Sequence, residues 1–169
     1  MRINFDTLYS FAIVDLTDDA KLTMPETNGR YQSAWIITED EYNPMAFNVP
    51  GEHTLTKENV GNQYAMIVMR TQVNTNDPID LAAANVLQEK LLLTQNDRGS
   101  YTASHQWNMD EVLKMRDYYI SLVKEKNISS DVMFGKKGEV PLEDHNAGAA
   151  YGWGGLTPQQ AVYPVWYST

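Results

Sequence analysis

Up to Val73 the apolar residues come in short blocks that alternate with polar positions and are separated by turn residues; beyond Asp77 the spacing becomes that of helices. From Thr7 to Leu16, Leu8, Ala12, Val14 and Leu16 fall on one side of an extended chain and Tyr9, Phe11 and Ile13 on the other. That is the pattern of an interior strand covered on both faces. The polar run Asp15 to Ala20 is a turn, after which Leu22 and Met24 alternate with Lys21 and Thr23 until Pro25 ends the strand. Asn28-Gly29 turns the chain into a third strand, Arg30 to Thr38, carrying Tyr31, Trp35, Ile36 and Ile37. A turn-rich stretch with Asn43-Pro44 and Pro50-Gly51 leads to a short strand over His53 to Lys57, and Gln63 to Val73 is a long apolar run. Five strands spaced at roughly 8 to 12 residues, with nothing helical between them, predict a mainly β protein of the β-sandwich kind. Phe11 and Ile67 are then expected in one shared interior.

In the second half, Asp77, Pro78 and Asp80 are an N-cap, a first-turn proline and an acid at the positive end of the dipole, which predicts a helix over about 77–93. Asn108 with Glu111 reads as a capping box for a second helix over about 108–126, whose stripe is Val112, Met115, Tyr119, Leu122 and Val123. A short strand is expected around Ser100 to Ala103. The glycine-rich stretch 134–169 reads as loop, with an edge strand or extended tail over Val162 to Tyr167, where Pro164 sits. The prediction is a single domain over 1–169, strands mostly within 7–73, with two or three helices in the second half.

Composition narrows the possible roles. A chain of 169 residues buries enough surface for one domain without a staple, and it has no cysteine, which excludes disulfides, thiolate zinc and cysteine nucleophiles. Thirteen basic against twenty-two acidic residues give a net charge of -9, so nucleic acid and anionic lipid surfaces are not expected as partners. No apolar run approaches the roughly 20 residues needed to cross a bilayer, and the segment after Met1 is not patterned as a signal peptide. Length and acidity fit a compact marine microbial or viral gene.

Four stretches, in order, are NFDTLYS at Asn4 to Ser10, GRYQS at Gly29 to Ser33 with ITEDEY at Ile37 to Tyr42, HTLTKENVGNQY at His53 to Tyr64 leading into MRTQV at Met69 to Val73, and GWGG at Gly152 to Gly155. Together they resemble the domain-of-unknown-function family numbered twelve fifty-four. The resemblance implies a jelly-roll-type β-sandwich and no established activity. Members of that family are generally longer, with a helical region ahead and a companion domain of the family numbered twelve fourteen behind; neither is expected here. Where many members carry a histidine after the Glu-Asp pair this chain has Glu41, so a metal or proton-transfer role at that position is not expected.

Candidate chemistry is sparse. Asn4, Asp6 and Tyr9 can line a pocket at a sheet end, against the plainer use of fixing the start of the first strand. Glu39 and Asp40 belong to an acidic triplet that can hold a hard cation, though adjacent acids on an extended chain point to alternate faces. His53, His105 and His145 lack the close spacing of a metal site. Arg30 and Arg70 lie at or in apolar strands, where a guanidinium needs a carboxylate; Asp6, Glu39 and Asp40 are the expected partners, with a carboxylate or sulfate ligand as the alternative. Trp153, with Trp35, Trp107 and Trp166, is a candidate for stacking on a sugar. No GxSxG elbow or phosphate-cradling glycine loop occurs. The reading is a binding or assembly module, expected as a homodimer or trimer with a possible small-molecule or glycan ligand and no cofactor. The alternatives are a small metal-assisted hydrolase or lyase using Asp6, Glu39, His53 and His145, and a carbohydrate-binding module.

Overall fold

The computed structural model describes residues 5–103, 105–152 and 155–161. Along them run β1 (Thr7–Asp15), β2 (Ala20–Met24), β3 (Gln32–Thr38), β4 (Met45–Phe47), β5 (Gly51–Leu55), α1 (Lys57–Val60), β6 (Tyr64–Gln72), α2 (Pro78–Glu89), β7 (Leu92–Thr94), α3 (Met109–Lys126) and α4 (Leu142–Tyr151). A single 3-10 turn, Ser130–Val132, precedes α4. The chain divides into two compact units, Met1–Ile36 with Met45–Tyr101, and Ile37–Pro44 with Thr102–Thr169.

The first unit is strand-rich, with two antiparallel sheets ordered β1-β6-β3-β4 and β5-β2-β7. Both contribute to one apolar cluster: Val14, Ala34, Ile36, Ala65, Ile67 and Met69 from the first sheet, Leu22, Met24 and Leu55 from the second. The register of β1 on β6 sets Ala12 opposite Ile67 and Phe11 opposite Val68. Successive side chains of a strand face opposite ways, so Phe11 and Ile67 lie on opposite faces of the sheet. Phe11 is 56% exposed and Ile13 61%, which corrects the expectation of a strand covered on both sides and of an interior shared by Phe11 and Ile67. β1 is an edge strand, and the outward side chains in its middle, Phe11 and Ile13, are largely exposed. Its ends are tied down: Gln88 Nε2 donates to the Tyr9 carbonyl and Ser10 Oγ, and Gln95 Nε2 donates to the Asp15 and Asp18 carbonyls.

Three elements depart from the sequence pattern. α1 interrupts the strands of the front half: Thr56 caps it, Asn59 completes a capping box, and Gly61 ends it in the left-handed region at φ 80°. α2 stops at Glu89 because the next residues are taken by β7, which pairs with β2 through Thr23 opposite Leu92 and Leu22 opposite Leu93 while Leu91 and Leu93 pack on the core. The turn-rich stretch after Pro44 holds β4, paired with β3 through Ile36 opposite Met45. No strand forms over Ser100 to Ala103.

In the second unit α3 and α4 close on Val123, Met133 and Ala147, with Tyr119, Ile128 and Phe134 around them. α4 replaces the loop expected from the glycines. Gly148 sits within it because a Cβ there would come 2.9 Å from the Phe134 ring and 3.0 Å from Met133 Cβ, so this glycine serves close packing. Only Leu122 and Val123 of α3 are buried, and its N-terminal half stands clear. The tail expected over Val162 to Tyr167 lies outside the described residues.

Candidate functional site

In the first unit the best-built polar group surrounds Arg30. It sits just ahead of β3, where its Nη1 donates to the Gln72 carbonyl at 2.7 Å and to Asp80 Oδ2 at 3.0 Å, and its Nη2 donates to Asp80 Oδ1. Asp80 occupies the first turn of α2, and the Asn74 backbone N–H donates to its Oδ2 at 2.7 Å. The hydrogen bonds from Arg30 and then from Asn74 bring the Asp80 carboxyl down to about 2. The partner expected for Arg30 among Asp6, Glu39 and Asp40 is therefore corrected to Asp80, whose value as a helix-start acid had hidden its second use. Arg70 forms no ion pair among the described residues; its guanidinium lies 5.9 Å from the Tyr9 ring centroid, and its buried Nε has no partner. The two are cross-strand neighbours, so an aromatic face stands where a carboxylate was expected.

The remaining candidates of this unit have local partners. Asp6 accepts from the Thr7 hydroxyl at 3.0 Å, and its carbonyl accepts from Val73 N–H at 2.8 Å. Tyr9 stacks on Phe11. His53, on β5, stacks on Phe47 at 4.1 Å, and its Nε2 lies 3.0 Å from the Val49 carbonyl. A carbonyl only accepts, so Nε2 carries the proton there. Asn4 and Trp153 lie outside the described residues.

The second unit gathers Asp40 and His145 around residues that the sequence reading had not selected. The His145 ring is 7% exposed and lies face to face on Tyr42, 3.8 Å between centroids with planes 4° apart. Its Nε2 is 2.9 Å from the Asp40 carbonyl and donates to it. Burial pushes the His145 pKa below its ordinary 6.5, against the opposing effect of that hydrogen bond. The Asp40 carboxylate accepts from Thr38 Oγ1 and from Lys137 Nζ, both at 2.7 Å, and that ammonium stands 5.7 Å from the Tyr42 ring centroid. Glu39 lies in the same turn, and Glu41 closes it at φ 66°. Tyr42 and Lys137 carry no spacing signal, since the first ends an acidic triplet and the second sits in a lysine-glycine loop.

A cleft of about 330 Å³ opens in this unit, where Asp131, Glu139 and Asp144 surround Val132, Phe134 and Pro141. Among the described residues no group of three or more His, Cys, Asp or Glu side chains is placed to hold a metal ion. No described helix is long and apolar enough to cross a membrane.

No family model matches the chain, and no curated protein does. A solved structure does resemble it: the crystal structure of the VPA0106 protein from Vibrio parahaemolyticus superposes with a TM-score of 0.71 at 12% sequence identity, over 92% of this chain. The likeness is one of fold. This chain spans 59% of that protein's length.

Proposed function

We propose that the chain is a binding or assembly module, built on a jelly-roll-type β-sandwich and working as a homo-oligomer, in the family numbered twelve fifty-four. The observation that carries this reading is the number of large apolar side chains left in solvent, Phe11 and Ile13 on β1 and Trp107, Met109, Leu113 and Met115 in the second unit. Large apolar side chains exposed on an edge strand and on a helix are surfaces that association can cover. His53 and His145 each donate from Nε2 to a backbone carbonyl, which fixes the orientation of the ring. The core shared by the two sheets supports the sandwich, and the capped Thr56 to Gly61 turn gives the family-like stretch HTLTKENVGNQY a structural reason. Light scattering on purified protein tests the assembly. The expected mass exceeds the 19.2 kDa of one chain, and a monomer mass at every concentration overturns the proposal.

A further inference from the structure

Arg70 is a cation placed where its strand gives it nothing to hold. It stands half-buried on β6, between β1 and β3, two residues after the buried Val68. Arg30 is satisfied by Asp80 and the Gln72 carbonyl. No acceptor meets the Arg70 guanidinium among the described residues, and its Nε is closed to water. A charged donor withdrawn from water without an acceptor destabilises the fold, and a bound anion removes that cost.

The neighbours of Arg70 complete a polar row. Tyr9 lies directly opposite on β1. On the other side the Gln72 N–H donates to the Tyr31 carbonyl and Gln32 Nε2 donates to Thr71 Oγ1, a register that sets Ser33 beside Arg70. Gln32 and Thr71 share one face of the sheet, so Ser33 and Arg70, the next residues along these antiparallel strands, share the other. Two hydroxyls therefore flank the guanidinium, and neither takes part in a hydrogen bond among the described residues. The Tyr9 ring stacks on Phe11 and stands 5.9 Å from the guanidinium carbon.

This chemistry defines a ligand. A guanidinium offers paired N–H donors that match the two oxygens of a carboxylate, and hydroxyls can donate to the same oxygens. In a chain of net charge -9, one local cation matches a monoanion better than a phosphate or sulfate dianion. Phe11 and Ile13 follow Tyr9 on the same face of β1, 56% and 61% exposed. An apolar strip roughly 13 Å long therefore starts beside the cation.

We propose that Tyr9, Arg70 and Ser33 form a binding site for a carboxylate carrying an apolar chain, such as a medium-chain fatty acid, with the chain lying along Phe11 and Ile13. This goes beyond the assembly reading, leaving the exposed side chains of the second unit to that role. Isothermal titration calorimetry with sodium octanoate tests it, with 1-octanol and sodium sulfate as comparison ligands. Saturable binding of octanoate is expected, with 1-octanol and sulfate each at least about tenfold weaker. Arg70→Gln is expected to weaken octanoate at least about tenfold, and Arg70→Lys about threefold, because an ammonium lacks the paired donors. Tyr9→Phe keeps the ring on Phe11 and loses one donor, for an expected loss of about threefold, which keeps the test open should Arg70→Gln fail to fold. No saturable binding of octanoate, or wild-type affinity in the Arg70 and Tyr9 variants, overturns the site. Equal binding of 1-octanol or of sulfate overturns the ligand class. Each of these results leaves the assembly reading standing, and a monomer in light scattering leaves this site standing.

Discussion

Replacing Ile67 and Phe11 separately by alanine separates the two faces of the β1-β6 ribbon. Ile67 is fully buried in the cluster between the sheets. Truncation removes three carbons, worth about 0.8 kcal/mol each, and leaves a cavity that neighbouring strands cannot close, so the expected loss is about 3 to 4 kcal/mol. Phe11 has more surface in water than out of it, at 56% exposure, and it stacks on Tyr9 at 6.0 Å. Losing that stack and a minor share of its burial amounts to about 1 kcal/mol. In urea unfolding followed by far-ultraviolet circular dichroism, with a slope of about 2 kcal/mol per molar, the midpoint should fall by roughly 1.5 to 2 M for Ile67→Ala and about 0.5 M for Phe11→Ala. Equal losses, or a larger one at Phe11, would refute the face assignment and with it the register that places Ala12 opposite Ile67.

Three further outcomes follow from the polar clusters and from α4. Asp80 is depressed in the folded state, so its contribution is fully present above the unfolded value of 3.8 and is lost as pH falls towards 2; urea midpoints of Asp80→Asn should converge on wild type across that window, and an unchanged gap would exclude the linkage. His145 is also depressed, but as a base: below 6.5 the unfolded chain binds the proton first, so stability should fall as pH drops from 6.5, and His145→Phe, which keeps a ring on Tyr42, should flatten that slope in pH-dependent melts. Gly148→Ala should lower stability by about 1 kcal/mol, because crowding against Phe134 and Met133 outweighs the helix propensity gained; a higher melting temperature would show that the Phe134 ring moves aside at little cost.

The sequence showed strands best where they were long and helices best where they carried caps. β1, β6 and α3 lie within a residue or two of their expected ranges, because period and capping act within the element itself. β4 and β7 are three residues each and owe their existence to partners: Met45–Phe47 to β3 and Leu92–Thr94 to β2. Nothing local in LLT distinguishes a strand from the end of a helix, and the apolar spacing of α2 ran on into it. The inside of β1 was misjudged for a related reason. Phe11 and Ile13 are as apolar as Val14, and whether a layer covers them depends on where the strand sits in its sheet. Of the candidate site residues, Asp40 and His145 meet through Tyr42, 105 positions apart in sequence, a separation over which no spacing rule operates.

Gln88 and Gln95 give the rim of the larger sheet a particular property. Their amides already occupy the Tyr9 and Asp15 carbonyls, two of the acceptors that a foreign strand would need in order to dock along β1. A bare ribbon of nine mostly uncharged residues invites copy after copy to add on without limit, and here both ends of that ribbon are stoppered. Strand addition along β1 is thereby discouraged.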